Sequence, residues 1–109
     1  TNAPSTVLVV DVREHDFVHG CIRGAFNLPF HQSFPDLGVA AVKEMLEKNG
    51  DVSLVAVHCH YSQTRGPQAA RYLHEGLSGA FPQVQVRILQ GGWDGWQVKY
   101  KATDLTQRF

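Results

Sequence analysis

Two short runs of uninterrupted apolar residues, Val7-Leu8-Val9-Val10 and Leu54-Val55-Ala56-Val57, restrict the fold more than any other feature of the chain. Valine-rich runs this short, with no polar residue alternating through them, fit strands buried on both faces and cannot span a bilayer. Between them lies a helical pattern. Leu37, Ala41, Val42, Met45 and Leu46 recur at helical spacing, and Lys43, Glu44, Glu47 and Lys48 take the other face. Ser33 or Asp36 can cap its start with Pro35 in the first turn, and Asn49-Gly50 stops it. Further on, Pro67–Glu75 reads as a helix capped at Gly76. Gln83–Leu89 reads as a third strand, with Val84, Val86 and Ile88 on one side. Gly91-Gly92 breaks the chain before a short helix over Trp93–Tyr100. Strands alternating with helices predict an α/β fold, a central parallel sheet covered by helices on both faces. Glu14–Gly24 reads as loop with one helical turn at most, and Ala25-Phe26-Asn27-Leu28 as a short strand or extended link. Thr1–Thr6 reads as a flexible lead-in, and Lys101–Phe109 takes no assignment. The 109 residues suit one domain, assigned to residues 7–109.

Charge and cysteine content narrow the function. Ten basic residues balance ten acidic ones, so no overall field favours nucleic acid or a membrane surface, and any anion site must be local. Two cysteines, Cys21 and Cys59, make no disulfide framework. With no signal-peptide pattern at Thr1–Thr6, a cytoplasmic or nuclear protein with one reactive thiol is expected. The six histidines do not pair with cysteines at zinc spacing, so neither a metal nor another cofactor is expected.

The chemistry concentrates in Val57-His58-Cys59-His60-Tyr61-Ser62-Gln63-Thr64-Arg65-Gly66-Pro67, between a buried-type strand and a helix. Ligands of open α/β sheets bind at the carboxyl ends of strands, and helix N-termini attract anions. A loop of successive N–H groups there, from His60, Tyr61, Ser62, Gln63 and Thr64, can cradle a tetrahedral oxyanion. Cys59 and Arg65 bracket it with five residues between them. The helix terminus and the cation would lower the thiol pKa, giving a nucleophile, and the arginine fork matches two phosphate oxygens. Attack on phosphorus and a phospho-cysteine intermediate are the expected chemistry. In this reading the Ser62 hydroxyl bonds the Cys59 sulfur and helps it leave, Gly66 lets the backbone turn, and Pro67 fits the first helical turn. A cysteine and an arginine at this spacing also arise by chance, but the apolar strand, His-Cys, Ser and Arg-Gly-Pro around them favour the catalytic reading.

These residues resemble the active-site loop of the M-phase inducer phosphatases, dual-specificity enzymes of the rhodanese fold, and of the fungal and protist arsenate reductases and small fungal phosphatases of that fold. Val9-Val10-Asp11-Val12-Arg13, Gly20-Cys21-Ile22-Arg23-Gly24-Ala25 and Asn27-Leu28-Pro29 resemble the family's Asp-x-Arg, Gly-His-Ile-x-Gly-Ala and Asn-x-Pro stretches. Leu89-Gln90-Gly91-Gly92-Trp93, with Trp96, resembles its late Gly-Gly-aromatic segment. The resemblance runs from about Val7 to Tyr100 and implies a single rhodanese-like domain with Cys59 as nucleophile, Arg65 as oxyanion clamp and Asp11 and Arg13 as scaffold. The family usually opens with a further strand and helix, for which nothing before Val7 has room, so a shortened version or a fragment is expected. Thr64 stands where the mitotic enzymes carry Glu, and Val12 where they carry a second cysteine. Both are closer to the small fungal phosphatases and arsenate reductases.

The resemblance leaves two main activities open. One is a phosphatase acting on phosphotyrosine, or on phosphotyrosine and phosphothreonine, of a phosphorylated protein. The other is an arsenate reductase whose Cys59 adduct is resolved by glutathione or glutaredoxin. A thiosulfate sulfurtransferase ranks lower, because sulfurtransferases of this fold resemble one another in a loop one residue shorter, and a non-catalytic module lower still. Cys21, where the family has His, reads as a small buried residue rather than a resolving thiol. His58 takes a supporting role, through hydrogen bonds to loop carbonyls or as a structural histidine. His60 either faces substrate or is solvated. Tyr61 lines the pocket or packs, and Trp93 and Trp96 read as packing residues. Asp94 is a weak general-acid candidate, and no residue identifies that acid.

Overall fold

Both apolar runs are strands, lying side by side and parallel, in a computed structural model that describes residues 7–100 and 102–109. The lead-in assigned to Thr1–Thr6 lies outside the described residues. In chain order the elements are β1 (Val7–Asp11), β2 (Gly20–Ile22), β3 (Phe26–Asn27), α1 (Val39–Lys48), β4 (Leu54–His58), α2 (Arg65–Leu77), β5 (Gln85–Ile88), α3 (Gly92–Tyr100) and β6 (Thr106–Arg108). The main sheet runs β3-β1-β4-β5 with every pairing parallel. All four carboxyl ends therefore meet at one rim, and β4 runs directly into Cys59 there.

The helix-covered face is the core. Leu8 sits opposite Val55 and Val10 opposite Val57 in register, and all four bury against α1 and α2 residues Val39, Val42, Leu46, Ala69, Leu73 and Leu77. The other face departs from the expected double burial. Val7 is 39% exposed, and Val9 is only half-buried, bordering an apolar cleft of about 460 Å³ with Ile22, Trp96 and Leu105. An apolar run is satisfied here by one full face and one partial one. β5 is a sheet edge, so the side that carries Val86 and Ile88 is incompletely covered, and Ile88 is 45% exposed.

Four local expectations are corrected. Glu14–Gly24 is not all loop: Gly20–Ile22 forms β2, antiparallel to β6 from the unassigned tail. The helical run begins after Ser33 with Pro35 in its first turn, as expected, but Leu37 does not face inward. A π-helical turn, Phe34–Gly38, precedes α1, and its extra residue rotates Leu37 out to 67% exposure while Phe34 fills the core. Ser33 makes no side-chain capping bond. Gly76 caps nothing, because α2 continues to Leu77. A Cβ at Gly76 would lie 2.5 Å from Val39 Cγ1, so glycine there permits close approach of α1 and α2. Among the described residues no helix is long and apolar enough to cross a membrane.

Candidate active site

The site is built outward from a buried ion pair. Asp11 ends β1 level with Asn27 of β3 and His58 of β4. Arg13 turns back on it. The Arg13 backbone N–H and Nε each donate to Asp11 Oδ1 at 3.0 Å, and Nη2 donates at 2.7 Å both to Asp11 Oδ2 and to the Gly20 carbonyl. Both side chains are fully buried. Removing two charges from water is tolerable only when most of their hydrogen-bonding capacity is met, as it is here. The Arg13 guanidinium also lies 4.9 Å from the Phe17 ring and 4.7 Å from the Trp93 ring, which cover its faces. Asp11 and Arg13 thus join the strand rim to the 14–19 segment and β2.

His58 Nδ1 lies 3.0 Å from the Cys59 carbonyl, which can only accept, so Nδ1 carries the proton. Its bare Nε2 faces Asp11 Oδ2 at 3.7 Å with no hydrogen bond among the described residues. Burial pushes the His58 pKa down, against the upward pull of Asp11 and of the Cys59 carbonyl, which keeps the ring neutral at neutral pH.

The loop wraps the sulfur of Cys59. Backbone N–H groups of Ser62 and Gly66 donate to Sγ at 3.2 and 3.3 Å. Ser62 takes φ +58°, the left-handed conformation in which successive N–H groups turn inward. Two expectations change. The Ser62 hydroxyl is not the sulfur's donor: its backbone is, and its Oγ is buried with no partner among the described residues. Gly66 has no turn to make. It is the second residue of α2, and a Cβ there would crowd Cys59 N at 3.3 Å, so glycine permits close approach of helix and loop. Burial alone would raise the Cys59 thiol pKa. The N–H groups of Gly66 and Ser62, the charge of Arg65 and the Thr64 N–H outweigh it, so the pKa falls below the ordinary thiol value.

Arg65 opens α2 and reaches back across the loop. Its Nη1 and Nη2 donate to Asp16 Oδ1 and Oδ2 at 2.9 and 2.6 Å, and Glu14 Oε1 lies 3.6 Å from Nη1. This bidentate contact holds the Asp16 carboxyl well below the usual carboxylate range and raises Arg65. Sequence reading passed over Asp16. It lies far from the loop in the chain, and no local pattern marks it.

The helix N-terminus of α3 grips the other end of the loop, also unforeseen. Trp93 N–H donates to the Cys59 carbonyl at 3.0 Å, and Asp94 N–H to the His60 carbonyl at 2.8 Å. Gly92, at φ +59°, allows this contact, since a Cβ would lie 2.5 Å from Cys59 O and 2.6 Å from His60 O. Gly92→Ala must therefore push the loop off α3 as well as strain its own backbone. An expected loss of roughly 2–4 kcal/mol follows. A thermal melt should show it as a fall of about 8 °C or more; an unchanged midpoint would mean that the α3–loop contact is not rigid.

The remaining expected site residues divide. His60 is half-buried, its Nδ1 without a partner among the described residues, and its ring meets Tyr61 edge-on at 4.4 Å. Tyr61 is 56% exposed, and Gln63 and Thr64 are exposed. Trp93 packs in the interior and Trp96 donates to Thr106 Oγ1 at 2.8 Å, both structural contacts. Cys21 is a free, buried thiol within β2, and burial raises its pKa, as suits a packing residue. Among the described residues no three His, Cys, Asp or Glu side chains gather as a metal site would require.

Comparison with known proteins agrees with this architecture. The family model of the rhodanese-like domain matches residues 2–99. The dual specificity phosphatase ibp1 of Schizosaccharomyces pombe is 29% identical, over 90% of this chain and 80% of its own. The CDC25-like phosphatase YCH1 of Saccharomyces cerevisiae is 33% identical, over 84% of this chain and 66% of its own. Human M-phase inducer phosphatase 1 is 28% identical, but the match spans only 18% of that protein. Among solved structures, Ygr203w, a yeast protein tyrosine phosphatase of the rhodanese family, superposes with a TM-score of 0.80 at 30% identity, covering 97% of this chain and 78% of that one. An As-Sb reductase from Leishmania major gives a TM-score of 0.79 at 24% identity, covering 94% and 72%, which speaks to the fold alone.

Proposed function

From the premise that the chain belongs to the rhodanese-like domain family, we propose that it is a cysteine-dependent phosphatase acting on phosphotyrosine, or on phosphotyrosine and phosphothreonine, of a phosphorylated protein. The observation that carries the proposal is the donor set on the Cys59 sulfur: two N–H groups at 3.2 and 3.3 Å, with a lowered thiol pKa. That set favours the thiolate over the thiol beside the N-terminus of α2, where an oxyanion is also favoured. In this mechanism Cys59 Sγ attacks phosphorus in line, the S–P bond forms, and the ester oxygen leaves with the bonding pair. Water then attacks the phospho-cysteine, releasing phosphate and restoring the thiolate. Charge that builds on the phosphoryl oxygens in either step meets loop N–H groups and Arg65. An aryl oxygen leaves as the phenolate more readily than an alkyl oxygen leaves as the alkoxide, which favours phosphotyrosine over phosphothreonine. The buried Ser62 Oγ and His60 Nδ1, lacking partners among the described residues, supply two more polar groups inside the loop.

Phosphatase is preferred to arsenate reductase because ibp1, YCH1 and Ygr203w, each above 25% identity, are all described as phosphatases, whereas the reductase likeness extends to fold only. A side-by-side assay of one preparation tests the choice: an aryl phosphate, arsenate with glutathione and glutaredoxin, and thiosulfate with cyanide. Phosphate release is expected to dominate, with little or no thiocyanate formed. Arsenate reduction outpacing phosphate release would transfer the assignment to the reductase, and thiocyanate at a rate matching phosphate release would transfer it to a sulfurtransferase.

A further inference from the structure

Arg65 holds five N–H donors in one plane. Its contact with Asp16 is end-on, one hydrogen bond from each Nη, and the second carboxylate, Glu14, also approaches Nη1. Nε–H makes no hydrogen bond to any described residue. An end-on fork consumes the terminal edge of a guanidinium and leaves the lateral edge, Nε–H with one Nη–H, free to make a second two-point contact of the same planar kind. Asp16 and an oxyanion therefore need not compete for the same donors. Asp16 is itself held. Its Oδ1 accepts the Glu14 N–H at 3.0 Å, and its carbonyl accepts Arg13 Nη1 at 3.4 Å, from an arginine fixed in the interior by Asp11. A continuous set of contacts thus runs from the end of β1 through Arg13 and Asp16 to Arg65.

We propose that Asp16 is a positioning residue, which fixes the plane of the Arg65 guanidinium so that its lateral edge is presented to an oxyanion at Cys59; the proposal rests on the phosphatase reading above and extends it. Two carboxylates beside an anion site would by charge alone weaken anion binding. Their presence is accounted for if order in the arginine matters more than the charge they contribute, since a group already held in the binding geometry loses less freedom when it binds. The charge of Arg65 is felt at Cys59 in this arrangement, so its position bears on the thiolate as well as on the oxyanion.

Charge and positioning predict opposite signs, which makes the test direct. Tungstate affinity by calorimetry and steady-state aryl-phosphate hydrolysis are measured for the wild-type chain, Asp16→Asn and Asp16→Glu. Positioning predicts that Asp16→Asn binds tungstate more weakly and loses about 10-fold or more in kcat, while its melting temperature stays near the wild type, because the Asp16 side chain is partly exposed. Asp16→Glu, which keeps the carboxylate, recovers most of that loss. Equal or tighter tungstate binding by Asp16→Asn with kcat retained overturns the proposal, as does an Asp16→Glu no better than Asp16→Asn. One measurement needs no variant: the Arg65 Nε–H resonance of the wild-type chain shifts when tungstate binds, and an unmoved resonance on binding overturns the proposal. A wild-type chain that binds tungstate but hydrolyses no aryl phosphate defeats the phosphatase reading instead, and the tungstate comparison still decides the role of Asp16.

Discussion

A Cys59→Ser chain is expected to fold as the wild type does and to hydrolyse aryl phosphate at least ~1,000-fold more slowly, the order of loss that follows removal of a covalent nucleophile. The reason lies in what the loop stabilises. N–H groups of Ser62 and Gly66 converge on one atom, and they lower the pKa of the Cys59 thiol below its ordinary value. The same donors cannot bring a serine hydroxyl to its anion near neutral pH, so the variant keeps the oxyanion cradle and loses the attacking group. Tungstate should still bind it. The wild-type kcat/KM should rise with pH through a limb below the ordinary thiol value of about 8.5, since the thiolate forms as pH climbs past the lowered pKa. The sign for stability follows the same linkage. The folded state favours the thiolate, so that contribution is present above the unfolded-state pKa and disappears as pH falls through the folded one. The serine variant has no such titration, and its stability relative to wild type should fall toward high pH. Turnover retained by Cys59→Ser would remove the covalent mechanism altogether.

The part of this site that could be read from sequence is the part in which neighbours in sequence are neighbours in space. Leu54–Val57, Cys59, Arg65 and the helix after Pro67 are contiguous, and strand, loop and helix each leave a local pattern of apolar runs, spacing and breakers. Asp16 was missed because its role depends on a contact across 49 positions, and a carboxylate in a polar segment looks like any solvated charge. β2 and β6 were missed for the same reason. Each has three residues, too few to show a period, and each is a strand only because the other lies beside it. The glycines show how a correct residue can carry a wrong reason. Sequence alone suggests a turn at Gly66 and a cap at Gly76, yet both are inside α2, where the missing side chain makes room for Cys59 and Val39. The π-helical turn at Phe34–Gly38 leaves no signal that regular helical spacing can detect, so that spacing puts Leu37 on the wrong face even though the start after Ser33 is legible.

Arg65→Lys separates the contact that Arg65 makes with Asp16 from the oxyanion binding proposed for it, and catalysis is expected to suffer far more than stability. Lysine keeps one positive charge but replaces a planar fork by a single rotating ammonium, so it cannot hold Asp16 at two points and meet two phosphoryl oxygens at the same time. The interactions lost on the phosphoryl side are strongest where equatorial charge is greatest, in the transition state. A fall of at least ~100-fold in kcat is expected, the scale of removing one preorganised oxyanion donor. KM should rise too, because ground-state phosphate uses the same lateral edge of the guanidinium as the transition state. The stability side is smaller. The Arg65 and Asp16 side chains are 26% and 29% exposed, so solvent screens their pair, which then contributes on the order of 1 kcal/mol or less, part of which an ammonium retains. The melting temperature should therefore drop by no more than about 8 °C, and tungstate should still raise it, though by less than in the wild type. The opposite pattern, a deep loss of melting temperature that tungstate no longer offsets, would identify the Asp16 contact as the chief work of Arg65, a clamp holding the 14–19 segment to α2. Melts of both chains with and without tungstate, set beside their kcat values, distinguish the two outcomes.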